Sequence, residues 1–192
     1  MRIRTTTAGF LAILALTLTA CGSSDSGDDK PTVSKASDTP TPATTPTPTP
    51  SKQELELNVG DTANVDGDNG RFTVAALSYQ HTGIHSSIPG LLKDGQKWAL
   101  VDAKMCNNTG QTVPATPFPW SLAYADGSRV ESTVITGTDL PGPLYPEETK
   151  VKDGDCVRGN IVFQVPKEGR PERVVYAPDV IDDPVEWQLS KG

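Results

Sequence analysis

From residue 53 onward, apolar side chains recur at every second position in short runs, and glycine or proline breaks each run before a helical period can establish itself. Leu55, Leu57 and Val59 alternate with polar neighbours, and Phe72 to Tyr79 follows the turn-rich Asp66-Gly67-Asp68-Asn69-Gly70. Val101, Ala103 and Met105 share one side of Trp98–Cys106, and Trp120, Leu122 and Tyr124 lead into Asp126-Gly127, with Arg129 to Val134 returning. Ile161, Phe163 and Val165 precede Pro166, and Val174 to Tyr176 and then Val185, Trp187 and Leu189 close the series. A period of two sends successive side chains to opposite faces of a strand, and Asp-Gly is a strong hairpin signal. Strands that are apolar on one face become stable by stacking against a second sheet. Residues 53–192 are therefore expected to form one all-β domain, a β-sandwich of about seven or eight strands. Trp98, Trp120 and Trp187 fall within the alternating runs and read as core.

The N-terminal part follows different rules. Arg2 and Arg4 precede an apolar run, Ala8 to Ala20, that is too short for a permanent membrane span of about 20 apolar residues. It reads as a signal peptide over residues 1–20. The run ends in Leu18-Thr19-Ala20-Cys21 and turns abruptly to Gly22-Ser23-Ser24-Asp25. That ending resembles the lipobox of bacterial lipoproteins, which implies lipidation of the Cys21 thiol and, through two acyl chains, stable anchoring in the membrane. Residues 21–52 hold no large apolar residue except Val33 and carry the repeats Thr39-Pro40-Thr41-Pro42 and Thr45 to Pro50. Such a segment has too little apolar surface to offset its ordering entropy, so it is expected to be a disordered tether whose threonines are plausible glycan acceptors. The localisation expected from these features is the outer face of the bacterial plasma membrane.

An exported chain meets oxidising conditions, and with Cys21 taken by lipid two cysteines remain, so Cys106 and Cys156 are expected to form a disulfide. Cys106 has the parity of Asp102 and Lys104, and Cys156 that of Arg158 and Asn160. Both sulfurs are thus placed on the polar sides of their strands, joining neighbours within one sheet near the surface.

Charge and composition narrow the functional classes. A net charge of −7 disfavours nucleic acid, a polyanion, as a partner. With two His and two Met in the chain, most metal and haem sites lack ligands, and no cofactor is expected. His81 and His85 are four apart and are the weak candidates for a metal, but Gly83, Ser86, Ser87 and Pro89 argue against the helix that would align them. Asp66-x-Asp68-x-Gly70 imitates the start of a calcium loop without its later ligands. Asp179, Asp182 and Asp183 read as a solvated loop. There is no Gly-x-Ser-x-Gly and no His-Glu-x-x-His, so no catalytic residue is assigned and the chain is not expected to be an enzyme.

Three stretches carry a family resemblance. Lys97-Trp98-Ala99-Leu100-Val101-Asp102-Ala103-Lys104-Met105-Cys106-Asn107-Asn108-Thr109-Gly110 resembles the strand and Asn-x-Gly turn of the DUF4352 family. Leu144-Tyr145-Pro146-Glu147-Glu148 and Gly159-Asn160-Ile161-Val162-Phe163-Gln164-Val165-Pro166 resemble its closing motifs, with Glu147 where glycine is common. The resemblance runs from about Leu55 to Leu189. It implies an immunoglobulin-like, extracytoplasmic module of the kind found on lipoproteins and similar in fold to a secreted mycobacterial antigen and to telokin, with no catalytic residues to transfer. The segment from Gln80 to Gln96 is longer than the family's connection and is where a peculiarity of this chain is expected. Taken together, the sequence describes a membrane-anchored module that binds an extracytoplasmic protein, wall polymer or small ligand. The alternative is a structural or envelope-stress module without a discrete ligand, and less so a metal-binding domain.

Overall fold

Alternating burial decides which side of each strand is inside. The computed structural model describes residues 32–35, 56–67, 70–86, 88–135 and 139–190. In chain order its strands are β1 (Thr32–Lys35), β2 (Leu57–Asn58), β3 (Thr62–Gly67), β4 (Gly70–Gln80), β5 (Gln96–Asn108) and β6 (Val113–Ala115). They continue with β7 (Trp120–Ala123), β8 (Arg129–Glu131), β9 (Thr149–Val151), β10 (Cys156–Pro166), β11 (Arg173–Tyr176) and β12 (Val185–Gln188). One sheet has the order β1-β3-β4-β5-β10 and the other β2-β12-β11-β7-β8, while β6 and β9 form a small ribbon. The fold is an all-β, immunoglobulin-like sandwich. It has more strands than the alternation suggests: β1, β6 and β9 span only three or four residues each, too few to show a period, and β3, with Ala63 and Val65 as its buried residues, runs into the turn-rich stretch that follows it.

The core lies between the two sheets. Val101, Ala103 and Met105 from β5 and Ile161, Phe163 and Val165 from β10 meet Trp120, Leu122, Val174, Tyr176, Val185 and Trp187 from the facing sheet, all buried. Trp120 and Trp187 stack at 5.6 Å between ring centroids, and the Trp187 indole N–H donates to the Asp61 carbonyl at 3.0 Å. Asp126-Gly127 makes the tight turn between β7 and β8, with Gly127 at φ 84° and the Tyr124 amide donating to the Ser128 carbonyl at 3.0 Å. That positive φ is sterically cheap for glycine alone.

Two features go beyond the sequence reading. In the 80–96 segment Ile84, with Leu91 and Leu92, packs on Trp98, Leu100, Leu140 and Val162 to form a second, smaller core on the outward side of β5 and β10. Trp98 is thus buried, but under this flap rather than between the sheets. The other concerns the segment assigned to the disordered tether. Its residues Thr32–Lys35 add an antiparallel edge strand to β3, Thr32 opposite Asp66 and Lys35 opposite Ala63. An open sheet edge offers backbone donors and acceptors, so pairing there needs no apolar side chain and leaves no hydrophobic signal. The signal peptide, Cys21 and the Thr-Pro repeats lie outside the described residues.

Candidate ligand pocket at one end of the sandwich

Where β5 ends, its last buried side chain is polar. Asn107 is fully buried, and its amide donates to the carbonyls of Gln111 at 2.6 Å and Val151 at 2.9 Å. Its side-chain oxygen accepts from the Thr109 amide and hydroxyl at 3.0 and 2.8 Å. Every hydrogen-bonding site of a buried amide is thereby engaged, which offsets the cost of its burial. The result is mechanical: Asn107 ties the end of β5 to the following turn and to β9, and so fixes the β6–β9 ribbon beyond the rim of the sandwich.

That ribbon forms one wall of a pocket of about 420 Å³. Phe72 and Met105 from the inner face of one sheet and Tyr176 from the end of β11 line its base. Val113 to Thr116, Phe118 and Pro119, Ala177 to Val180, and Gly67 and Gly70 at the β3–β4 turn complete its lining, with the Ala177 amide donating to the Pro119 carbonyl at 2.9 Å. Gly70 sits at φ 109°, and a side chain there would come within 2.9 Å of the Thr109 backbone, so only glycine allows this approach of the two turns. Tyr176 touches Phe72 edge-on at 6.4 Å and Trp120 at 4.8 Å, which continues an aromatic row from the base of the pocket into the core. Burial pushes the Tyr176 hydroxyl above its ordinary pKa, so it stays neutral there.

The pocket opens to solvent past two exposed apolar side chains, Phe118 at 60% and Val180 at 40%. Neither stands out in the sequence, although Phe118 lies between Pro117 and Pro119, which bar it from regular strand pairing. Asp179, read from sequence as part of a solvated acidic loop, is exposed and belongs to the rim. A smaller acidic cleft, formed by Thr116, Phe118, Glu147 and Glu148, shares Thr116 and Phe118 with the pocket.

The other sequence candidates lie elsewhere. Cys106 and Cys156 are bonded at the outward side of the β5–β10 pair. His81 stacks on Tyr79 at 5.3 Å, with Arg170 5.8 Å from the centre of the same ring. Partial burial, then the nearby Lys97 and Arg170, hold the His81 imidazole below its usual pKa. His85 is exposed, and among the described residues no group of three or more His, Cys, Asp or Glu side chains is placed to hold a metal ion.

The fold and this end site define the class: an immunoglobulin-like β-sandwich with an apolar pocket at one end. Within that class the chain is similar to MPT63, a secreted protein from Mycobacterium tuberculosis, at 17% identity and a TM-score of 0.51, covering 72% of this chain and 100% of that one. It also resembles the yjhA protein from Bacillus subtilis, at 11% identity and a TM-score of 0.49, covering 70% of this chain and 99% of that one. No family model and no curated protein matches the sequence.

Proposed function

We propose that this chain is an exported binding module, anchored through a lipidated Cys21 to the outer face of a bacterial plasma membrane, whose ligand occupies the end pocket. The carrying observation is the pocket itself: about 420 Å³, with an apolar base and two large apolar side chains left exposed at its mouth. A cavity of that size is within the usual range for ligand sites, and exposed apolar residues converging on it favour recognition over a purely structural role. Its lining holds one carboxylate, Asp179, and neither histidine nor cysteine, which favours binding over catalysis. Export is supported by the signal-like N-terminus, by the disulfide, which suits an oxidising compartment, and by the fold shared with a secreted mycobacterial protein. The resemblance of the strand and turn motifs to DUF4352 points the same way.

Two measurements test this reading. Titration with a fluorescent apolar dye should give saturable binding that Phe118→Ser and Val180→Ser each weaken; binding unaffected by both variants would remove the pocket from the function. The intact mass of protein extracted from membranes should equal that of a chain beginning at Cys21 plus its acyl groups. A mass beginning at Met1, or cleavage elsewhere, would overturn the anchoring.

A further inference from the structure

The end pocket has a neighbour of opposite character. The larger cavity, with Phe72, Met105 and Tyr176 at its base, is apolar. The cleft of Glu147 and Glu148 shares Phe118 with the pocket, and Asp179 lines the pocket itself. All three carboxylates are exposed, and none has an ion-pair partner among the described residues. Asp66, Asp102 and Glu186 are matched by Arg71, Arg158 and Arg173, whereas Asp94, Glu131, Asp155 and Glu168 are, like these three, without an ion pair among the described residues. What distinguishes Glu147, Glu148 and Asp179 is that they border the apolar pocket and its neighbouring cleft. The cation nearest in sequence to Glu148, Lys150 on β9, forms no ion pair with either glutamate.

We infer that this end docks a basic segment of a partner protein, with an aromatic or long aliphatic side chain in the apolar pocket and the adjacent Lys or Arg side chains against Glu147, Glu148 and Asp179. The inference rests on the end pocket being the ligand site and names what fills it. Three observations favour an extended basic peptide. Two cavities share Thr116 and Phe118 as a common wall, so one is about a side chain away from the other, as successive residues of an extended chain require. The exposed face of Phe118 can receive a guanidinium or ammonium beside the carboxylates. The whole chain carries −7, which steers a cationic partner toward it and repels an anionic surface.

The test uses the full chain and synthetic peptides with Gly-Ser flanks around Phe-Arg-Lys, Ala-Arg-Lys or Phe-Glu-Glu. Phe-Arg-Lys should bind saturably and displace the apolar dye, weakening as salt is raised. Glu147→Gln combined with Glu148→Gln should weaken that peptide about five- to tenfold, as expected for two exposed charge contacts, while leaving dye binding unchanged. Phe118→Ser should weaken both. Equal binding of Ala-Arg-Lys would mean charge attraction without the pocket, and equal binding of Phe-Glu-Glu would mean an apolar pocket without charge selection; either overturns the inference. Dye binding with no peptide binding overturns the inference and leaves the pocket reading standing, whereas binding of neither dye nor peptide removes both.

Discussion

Cys106 and Cys156 stand directly opposite each other across the antiparallel β5–β10 pair, and their disulfide lies on the outward side of that sheet, with Cys156 exposed. The Asn107 amide donates to the Asp155 carbonyl at 2.9 Å, so a ladder bond falls on the next opposed pair. Positions 106 and 156 then occupy a pair without backbone bonds, where side chains across an antiparallel ladder come closest. Closing a sequence separation of 50 residues removes conformational freedom from the unfolded chain, amounting to about 4 kcal/mol in the chain-entropy account. Because the sulfurs lie outside the sandwich, Cys106→Ser with Cys156→Ser should lower the unfolding free energy by about 3–4 kcal/mol without changing the near-ultraviolet signature of the packed tryptophans. Urea unfolding checks this, and an unchanged midpoint would show that the link does not constrain the chain.

Gly159 is defined by what passes over it. The Tyr145 amide donates to the Asn160 carbonyl at 2.9 Å and the Asn160 amide to the Pro143 carbonyl at 2.8 Å, so the segment before β9 lies across β10 at this point. A methyl group at position 159 would lie 2.6 Å from the Leu144 carbonyl carbon and 2.7 Å from its oxygen. Those are backbone atoms, held by the two hydrogen bonds, and cannot turn aside. Gly159→Ala is expected to cost about 2–3 kcal/mol in thermal unfolding, at the upper end of ordinary overpacking. A loss under half a kilocalorie would mean that the crossing segment detaches easily.

Asn107 links stability to the pocket. Asn107→Ala strands the Val151 carbonyl in the interior and frees the ribbon that walls the cavity, so both unfolding and dye binding should respond. The expected loss is about 2–4 kcal/mol, since several partners of one buried amide are left unsatisfied together. Asn107→Asp should do no better: it keeps an acceptor for Thr109 but brings an acceptor to the two carbonyls that need a donor. If Asn107→Asp kept full stability, the amide would not be the tie described.

The period-two runs made much of this legible. Parity alone separated Val101, Ala103 and Met105 from Asp102, Lys104 and Cys106, and the structure buries the first three between the sheets. Parity failed where the register slips. The pairing jumps between Ala76 and Ser78, which places Tyr79 opposite Val101 on the same inner side as Phe72 and Val74, and nothing about Leu77 marks that extra residue. The apolar residues of the 80–96 segment were visible, but the surface they cover was not, because Leu100 and Val162 occupy what parity calls the polar side. The pocket was hidden for a different reason. Its walls come from the β3–β4 turn, the stretch around Phe118 and the stretch after Tyr176, which only the sandwich topology brings together. β1 was missed because edge pairing is written in backbone groups.

Alkali should unfold this protein through its tyrosines. Burial raises the pKa of Tyr79, Tyr145 and Tyr176 well above the ordinary value of 10. Above that ordinary value the unfolded chain has lost protons that the folded chain keeps, so unfolding gains as pH rises and the stabilising contribution is complete only below it. Stability should therefore be level up to about pH 9–10 and fall beyond, with tyrosinate absorbance for these residues appearing together with loss of the β signal rather than before it. The Tyr79 hydroxyl is buried without a hydrogen-bond partner, so Tyr79→Phe loses no such bond and should move alkaline unfolding to higher pH. Tyrosinate absorbance rising in full while the fold is intact would contradict this.

The pairing of Thr32 with Asp66 gives β3 a partner on the side away from β4, and β1 begins beside the β3–β4 turn at the pocket end. Compare a chain of residues 30–192 with one of 53–192. The longer should be more stable by about 1–2 kcal/mol, the scale of a few cross-strand pairs, and should protect the β3 amides that face away from β4 from hydrogen exchange. The shorter exposes β3 as an edge and should self-associate more readily as concentration rises. Equal stability and equal exchange in the two chains would mean that β1 contributes no pairing to β3.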